Sequence, residues 1–205
     1  MTPETILTIV LVVVIVLMLL YLAVVLRTYT LKKNGQYGKK KVVGQLKKFG
    51  PIRGYQVLTD LPLTNGKKTS TADGILVGYF GLMVVSAVQD IGEYYGDLDS
   101  EKWIRYWKER KYFLENTYAR NHETAMIIRD LLSREKIYRV PVDEFVVFTG
   151  KKSKVLVCIK NGGELIPYSS FKSLLGRSKY EEDKGYNVEQ IAEILRSHQA
   201  QGTAQ

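Results

Sequence analysis

Residues 71–88 have the sequence TADGILVGYFGLMVVSAV, in which two apolar runs are separated by Phe80 and Gly81. Short apolar runs that are rich in Val and Ile and bounded by turn residues are typical of buried β-strands. We therefore predict a buried hairpin whose strands are residues 75–79 and 82–88.

Further strands and helices are predicted on both sides of this hairpin. Asn65-Gly66 is a strong turn signal, and residues 102–114 fit either one helix or two aromatic strands. Strands are predicted at 55–58, 145–148 and 155–159, and helices at 124–133 and around Val188, Ile191, Ala192 and Leu195 with Asn187 as the N-cap. This alternation predicts an α/β domain over residues 38–196, followed by a polar, frayed tail at 197–205.

The N-terminal region contains a long apolar run. Residues 6–26 are 21 residues without a charge, Gly or Pro. A helix rises about 1.5 Å per residue, so this run is long enough for a hydrocarbon core of about 30 Å. A cleaved signal peptide fits less well, because residues 1–5 carry no basic residue and no cleavage site follows. We predict one transmembrane helix.

The basic charge of the chain is concentrated beside this helix. Residues 27–54 hold nine of the 30 Lys and Arg and none of the 21 Asp and Glu. Short Lys- and Arg-rich segments stay in the cytoplasm, so we expect a single-pass protein of the cell membrane. Residues 1–5 would lie outside, 27–37 would form a basic juxtamembrane linker, and the domain would be cytoplasmic.

The same charge predicts an anionic partner. The excess of positive charge is confined to the segment after the span. This placement favours anionic lipid over nucleic acid as the partner, although nucleic acid remains an alternative. The candidate contact residues are Lys32, Lys33, Lys39, Lys40, Lys41, Lys47 and Lys48. Val42, Val43, Leu46 and Phe49 recur at helical spacing here, which predicts a short amphipathic helix. It could lie on the lipid headgroups or pack on the domain, and its narrow apolar face favours packing on the domain.

Cysteine chemistry is not expected in this chain. It has one cysteine, so no intramolecular disulfide can form. Cys158 lies in the apolar run Val155-Leu156-Val157-Cys158-Ile159, which predicts a small buried side chain and not a reactive thiolate.

The order of these motifs resembles the nuclease-related domain family, NERD, from about residue 38 to 195. Residues 71–78 (TADGILVG) are similar to the family's E-I-D-H-V-V-V-G strand, and residues 81–85 (GLMVV) to the strand that follows it. Residues 116–122 resemble the start of its helix, and 145–148 its late V-V-F strand. The resemblance implies a restriction-endonuclease-like fold, with a mixed central sheet flanked by helices, preceded here by the transmembrane helix.

The resemblance also implies which positions a metal-dependent nuclease would use. The family's E-x-K triplet aligns with Ser86, Ala87 and Val88, and its Gln at the helix start aligns with Arg120. Only Asp73 remains of the acidic set, because Thr71 and Lys39 replace two further acids. One carboxylate is a poor Mg²⁺ site, so Asp73 is either a vestigial metal ligand or an acceptor for backbone N–H groups.

We therefore expect a membrane-anchored, non-catalytic nuclease-like domain without a cofactor, acting as a binding or scaffolding module. The alternative is a Mg²⁺-dependent DNA or RNA nuclease with displaced acids among Asp90, Glu93, Asp97, Asp99 and Glu101. We also expect that Ser86 and Val88 are largely buried, that neighbouring side chains close the former cleft, and that His122 starts a helix.

Overall fold

The computed structural model describes residues 3–33, 35–160 and 163–200. Contacts divide the chain into two units, residues 1–37 and 38–205. The helices are α1 (Pro3–Lys33), α2 (Gln36–Phe49), α3 (Thr117–Arg134), α4 (Tyr168–Leu175) and α5 (Val188–Ser197). The strands are β1 (Gln56–Thr59), β2 (Pro62–Thr64), β3 (Thr69–Thr71), β4 (Gly74–Gly78), β5 (Gly81–Val88), β6 (Gly92–Asp97), β7 (Lys102–Trp107), β8 (Arg110–Glu115), β9 (Val142–Phe148), β10 (Val155–Lys160) and β11 (Leu165–Pro167).

Helix α1 forms most of the first unit. Its residues Leu11–Lys32 make a stretch of 22 residues that is long and apolar enough to cross a membrane. The helix continues to Lys33, so part of the predicted linker at 27–37 is helical. The charged residues there are good helix formers, and the end of an apolar run does not by itself end a helix.

The second unit is built on a mixed five-stranded sheet with the order β1-β4-β5-β9-β11. The predicted hairpin is confirmed: β4 and β5 pair antiparallel, with Gly74 opposite Val85. Strand β9 then runs parallel to β5, with Ser86 opposite Val146. Every residue of β4 is buried, because helices cover both faces of the sheet.

Alternate residues of β5 face two different cores. Leu82 and Val84 point toward α3 and α5, whereas Met83 and Val85 point toward α2 and α4. The α2 prediction is confirmed, since Val42, Leu46 and Phe49 are buried. The sheet therefore holds α2 and α3 on opposite faces at the end of β5, where Ser86 and Asp73 lie.

A second sheet of four strands has the order β10-β6-β7-β8. Residues 102–114, which fitted a helix or two strands, form β7 and β8, joined by Lys108 and Glu109 with positive φ angles of 48° and 62°. Strand β10 pairs with β6 and not with β9. This sheet packs through Tyr94 and Trp103 against Val146 and Phe148.

Three expectations about individual segments are wrong. Cys158 is exposed, because β10 is an edge strand whose odd-numbered residues Val155, Val157 and Ile159 face the core.

Helix α3 begins at Thr117, since Asn116 caps it by accepting hydrogen bonds from the N–H groups of Tyr118 and Ala119. His122 is therefore in its second turn, not at its start.

The tail is also better ordered than predicted as far as it is described. The amide N–H of Ala200 donates to the carbonyl oxygen of Pro62 at 2.8 Å. Gln199 forms a β-bridge with Leu63. Backbone pairing with β2 holds this segment, and polar side chains do not reveal such pairing in a sequence. Residues 201–205 lie outside the described part of the chain.

Candidate functional site

Asp73 lies between β3 and β4, and its carboxylate is bound on one side by the backbone. Its Oδ2 accepts a hydrogen bond of 2.8 Å from the Ala87 N–H of the neighbouring strand β5. Its own N–H donates to Ser86 Oγ at 3.3 Å. The side chain is only 16% exposed. The carboxylate therefore has the backbone-acceptor role that was one of its two predicted readings.

The other oxygen of Asp73 faces a lysine. Lys39 Nζ of α2 lies 3.7 Å from Asp73 Oδ1 and also forms an ion pair with Asp60. Asp60 lies in the turn after β1 with a positive φ of 54°, and its carboxylate is half exposed. A single ammonium group thus lies between two carboxylates, at the position where the family resemblance places an acid.

Neighbouring contacts fix the end of α2 that carries Lys39. The Gly38 N–H donates to Gln89 Oε1 at 2.9 Å, just beyond β5. A Cβ on Gly38 would overlap Thr149 Oγ1 and lie 3.0 Å from Gln89 Cβ. Only glycine allows the helix to approach this closely, and the close approach brings Lys39 within reach of Asp73.

Ser86 is fully buried beneath α3, as predicted. Its hydroxyl donates to Asn121 Oδ1 at 2.6 Å, and the Asn121 side-chain NH₂ donates to the Phe145 carbonyl at 2.8 Å. Asn121 is itself completely buried. These bonds satisfy both side chains, and Asn121 fills the space above Ser86. The role of Asn121 was not predicted from the family motifs, although an Asn on the apolar side of a helix was a signal for it.

Val88 is less deeply buried than Ser86 but is not exposed, which agrees with the expectation that it is largely buried. It packs against the core formed by Tyr94, Trp103 and Phe148. The neighbouring backbone is also engaged, because the Thr149 N–H donates to the Val88 carbonyl at 2.8 Å. Packing and pairing leave this residue without a polar function.

Arg120 has different neighbours from Asp73 and Ser86. Its Nη1 lies 3.4 Å from Glu115 Oε2. It lines an open groove of about 1070 Å³ between α3, β8 and the β2–β3 hairpin. Tyr118 lines the same groove, and burial, followed by the negative charge of Glu144, raises the pKa of its hydroxyl. The structure therefore does not bring all four motif positions together.

His122 contacts a buried carboxylate. Its Nδ1 lies 3.0 Å from Glu144 Oε2, and Arg129 Nη2 lies 3.2 Å from Glu144 Oε1. Glu144 is only 8% exposed. The two contacts satisfy Glu144 and join α3 to β9, which is a structural role.

Two of the acids that follow β5 are engaged with other side chains. Asp90 forms an ion pair with Arg105, and Glu93 accepts a hydrogen bond of 2.8 Å from the Tyr95 hydroxyl. In the described part of the chain, no group of three or more His, Cys, Asp or Glu side chains could hold a metal ion.

The donor set around Asp73 does not fit Mg²⁺. Mg²⁺ is held by carboxylates and keeps several waters in an octahedron, whereas Asp73 is flanked by an ammonium group, a backbone N–H and a buried hydroxyl. A dication beside the Lys39 ammonium would be repelled by it. No step of a metal-dependent reaction can be derived from these residues.

The predicted basic residues fall into different environments. Lys40, Lys47 and Lys48 are exposed on α2, whereas Lys39 is engaged with Asp60 and Asp73. Lys41 is half buried, with its Nζ 4.3 Å from the centre of the Tyr168 ring. Lys32 lies 5.3 Å from the Tyr37 ring, and the side chain of Lys33 is outside those described.

Comparison with known proteins gives one family. The model of the nuclease-related domain, NERD, matches residues 34–149, which is more than half of the chain. No curated protein and no solved structure matches. The matched region contains α2, the β4–β5 hairpin, α3 and β9, and so it includes Lys39, Asp73, Ser86 and Asn121. This chain therefore belongs to the nuclease-related domain (NERD) family.

Proposed function

We propose that this chain is a membrane-anchored NERD domain that does not cleave nucleic acid and acts as a binding or scaffolding module. The observation that carries the proposal is the engagement of Asp73. The Ala87 N–H binds one of its oxygens and the Lys39 ammonium faces the other. A carboxylate held in this way is not free to bind a metal.

The chemistry of phosphodiester cleavage supports this reading. A metal-dependent nuclease lowers the pKa of a bound water and stabilises charge on the phosphate with its metal ion. At the corresponding positions this chain has a hydroxyl that is bonded to Asn121 and a valine that packs in a core. Neither side chain can orient a water molecule or accept its proton.

A cleavage assay tests the non-catalytic assignment. The full chain in neutral detergent is incubated with labelled single- and double-stranded DNA and RNA, with Mg²⁺ or Mn²⁺, beside Asp73→Ala as the matched variant. We expect no difference between the two proteins and no dependence on metal. Metal-dependent cleavage that Asp73→Ala abolishes would instead support the alternative, a nuclease with displaced acids.

The membrane part of the proposal is supported by α1 and by the charge that follows it. We infer that Leu11–Lys32 crosses the cell membrane once, with the N-terminus outside and the domain in the cytoplasm. The exposed lysines of α2 would then lie close to anionic lipid. Each basic residue near such a surface contributes about 1 kcal/mol to the free energy of membrane binding. Nucleic acid is the less favoured partner.

Protease accessibility in sealed vesicles tests the orientation. Replacing Arg27, Lys32, Lys33 and Lys40 with Gln should produce a mixed population, because these charges hold the domain inside. The control replaces Lys67, Lys102, Lys136 and Lys160, which removes the same charge far from the span in sequence. A uniform orientation in both variants would mean that another determinant sets the topology.

A further inference from the structure

A basic depression lies on the surface of the domain between α2, the loop after β9 and the start of α4. Its volume is about 530 Å³. Its lining residues are Lys41, Thr149, Gly150, Lys151, Lys152, Pro167, Tyr168, Ser169 and Lys172. These residues come from three distant parts of the sequence, so the amphipathic α2 segment alone did not reveal the depression.

The lining of the depression contains four lysines and no carboxylate. Within residues 35–160 and 163–200, none of these four lysines forms an ion pair. Other lysines of the domain do: Lys39 with Asp73, Lys68 with Glu123 and Lys179 with Asp143. Four ammonium groups around one depression repel one another, and a bound anion would relieve that repulsion.

Two of the lysines are positioned by one aromatic ring. Lys41 Nζ lies 4.3 Å and Lys172 Nζ lies 5.4 Å from the centre of the Tyr168 ring. The ring attracts both cations and so holds them near each other. Helix α4 begins at Tyr168 without a side-chain cap, so its first N–H groups add to the positive potential of the lysines.

We propose that this depression binds the phosphate of an anionic lipid headgroup. This proposal rests on the membrane anchoring proposed above. Lys41 follows Lys32, the last residue of the apolar span, by nine residues. Nine residues extend over at most about 30 Å, so the chain keeps this lysine within reach of the membrane surface.

The lining also selects among anionic lipids. A headgroup with an amine, such as phosphatidylserine, presents an ammonium group that the four lysines of the depression repel. A phosphate monoester carries more negative charge and no amine. The site therefore favours phosphatidic acid or another lipid with a terminal phosphate.

Lysine acylation in nanodiscs tests the site with the full chain. Three kinds of disc are compared: phosphatidylcholine alone, phosphatidylcholine with phosphatidic acid, and phosphatidylcholine with phosphatidylserine. Mass spectrometry measures the acylation rate of each lysine in each kind of disc. Lys41 is the reporter in every variant. We expect phosphatidic acid to slow its acylation at least about fivefold, the factor that one basic residue contributes at a membrane surface.

Two variants with equal loss of charge separate a site from general attraction. Lys151→Gln, Lys152→Gln and Lys172→Gln together should abolish the protection of Lys41, since three lysines account for roughly 100-fold in affinity. Lys67→Gln, Lys102→Gln and Lys136→Gln together should leave it unchanged. Equal protection of Lys41 in the two variants would overturn the proposal.

The remaining outcomes identify the source of the bound anion. They also distinguish a failure of the proposed membrane anchor from a failure of the lipid site alone. Equal protection by phosphatidylserine would overturn the monoester preference. Protection in neutral discs by free glycerol 3-phosphate or by duplex DNA at similar concentrations would overturn the lipid assignment. A chain that does not co-elute with discs would refute the membrane anchor and this site with it. Co-elution without protection of Lys41 would refute the site alone.

Discussion

A lysine ammonium lies beside Asp73, the residue that the family resemblance implies as a vestigial metal ligand. Lys39 also pairs with Asp60 and so balances two carboxylates. On the other side of the sheet, Asn121 occupies the space above Ser86. At the scale of single residues, the proposed loss of a metal site rests on these contacts with side chains of the chain itself.

Restoring the family's E-x-K residues should therefore fail. In Ser86→Glu with Val88→Lys, the new carboxylate lies in a fully buried position beneath Asn121. An unpaired buried charge is costly, and we expect a loss of more than about 3 kcal/mol in the free energy of unfolding. Chemical denaturation of the full chain in detergent measures this loss. Stability equal to the original chain, together with metal-dependent cleavage, would contradict the account.

Tyr94 gives a pH-dependent prediction. Burial, with a further effect of Asp90, raises the pKa of its hydroxyl to about 12. Between pH 10 and about pH 12, the Tyr94 hydroxyl keeps its proton in the folded chain and loses it in the unfolded chain. The contribution of this group to the free energy of unfolding is therefore full below pH 10 and is lost as the pH rises to about 12. We expect Tyr94→Phe to reduce the slope of that fall by about 1.4 kcal/mol per pH unit. Denaturation midpoints between pH 9 and 12 measure it, and identical slopes would contradict it.

At the scale of secondary-structure elements, α2 is positioned by apolar packing along its length and by a close backbone approach at its N-terminal turn. Its apolar residues Val42 and Leu46 pack on the sheet, and its N-terminal turn approaches Gln89 and Thr149 through Gly38. The periodicity of the sequence predicted this helix and its buried face. It could not predict the ion pairs of Lys39, because a lysine in a basic run has no local mark of a distant partner.

Two glycines of α2 provide a matched pair of substitutions. Gly38→Ala should destabilise the domain by at least about 1 kcal/mol, because its Cβ would overlap Thr149 Oγ1. Gly44→Ala has no atom within 4 Å of the new Cβ, and it should stabilise the helix by about 0.5–1 kcal/mol. Denaturation midpoints of the two variants should move in opposite directions. Equal shifts would show that Gly38 has no packing role.

The strands show where a local pattern is sufficient and where it is not. The β4–β5 hairpin was predictable, because both strands are buried on both faces and connected by a short turn. The exposure of Cys158 was not, because it depends on β10 pairing with β6 at the edge of a second sheet. Such pairing is decided by residues far apart in the sequence.

At the scale of the whole molecule, the apolar helix and the nuclease-related domain are separate units. Val42, Leu46 and Phe49 of α2 are buried within the domain itself, whereas the side chains from Leu11 to Leu26 in α1 are exposed. The membrane attachment that we propose should therefore reside in α1 alone.

Removal of residues 1–33 tests this division. We expect the fragment 34–205 to be soluble and folded without detergent, because no remaining segment is long and apolar enough to span a membrane among the residues described. Size-exclusion chromatography and circular dichroism check this outcome. A fragment that requires detergent would mean that α2 also enters lipid.

We propose that Lys39 and the backbone N–H of Ala87 occupy the Asp73 carboxylate in place of a metal ion. Electron paramagnetic resonance of free Mn²⁺, titrated with the full chain in neutral detergent, measures metal binding directly and does not depend on a substrate. We expect the free Mn²⁺ signal to be the same with the original chain and with Asp73→Ala. A stoichiometric loss of the signal that Asp73→Ala removes would contradict it.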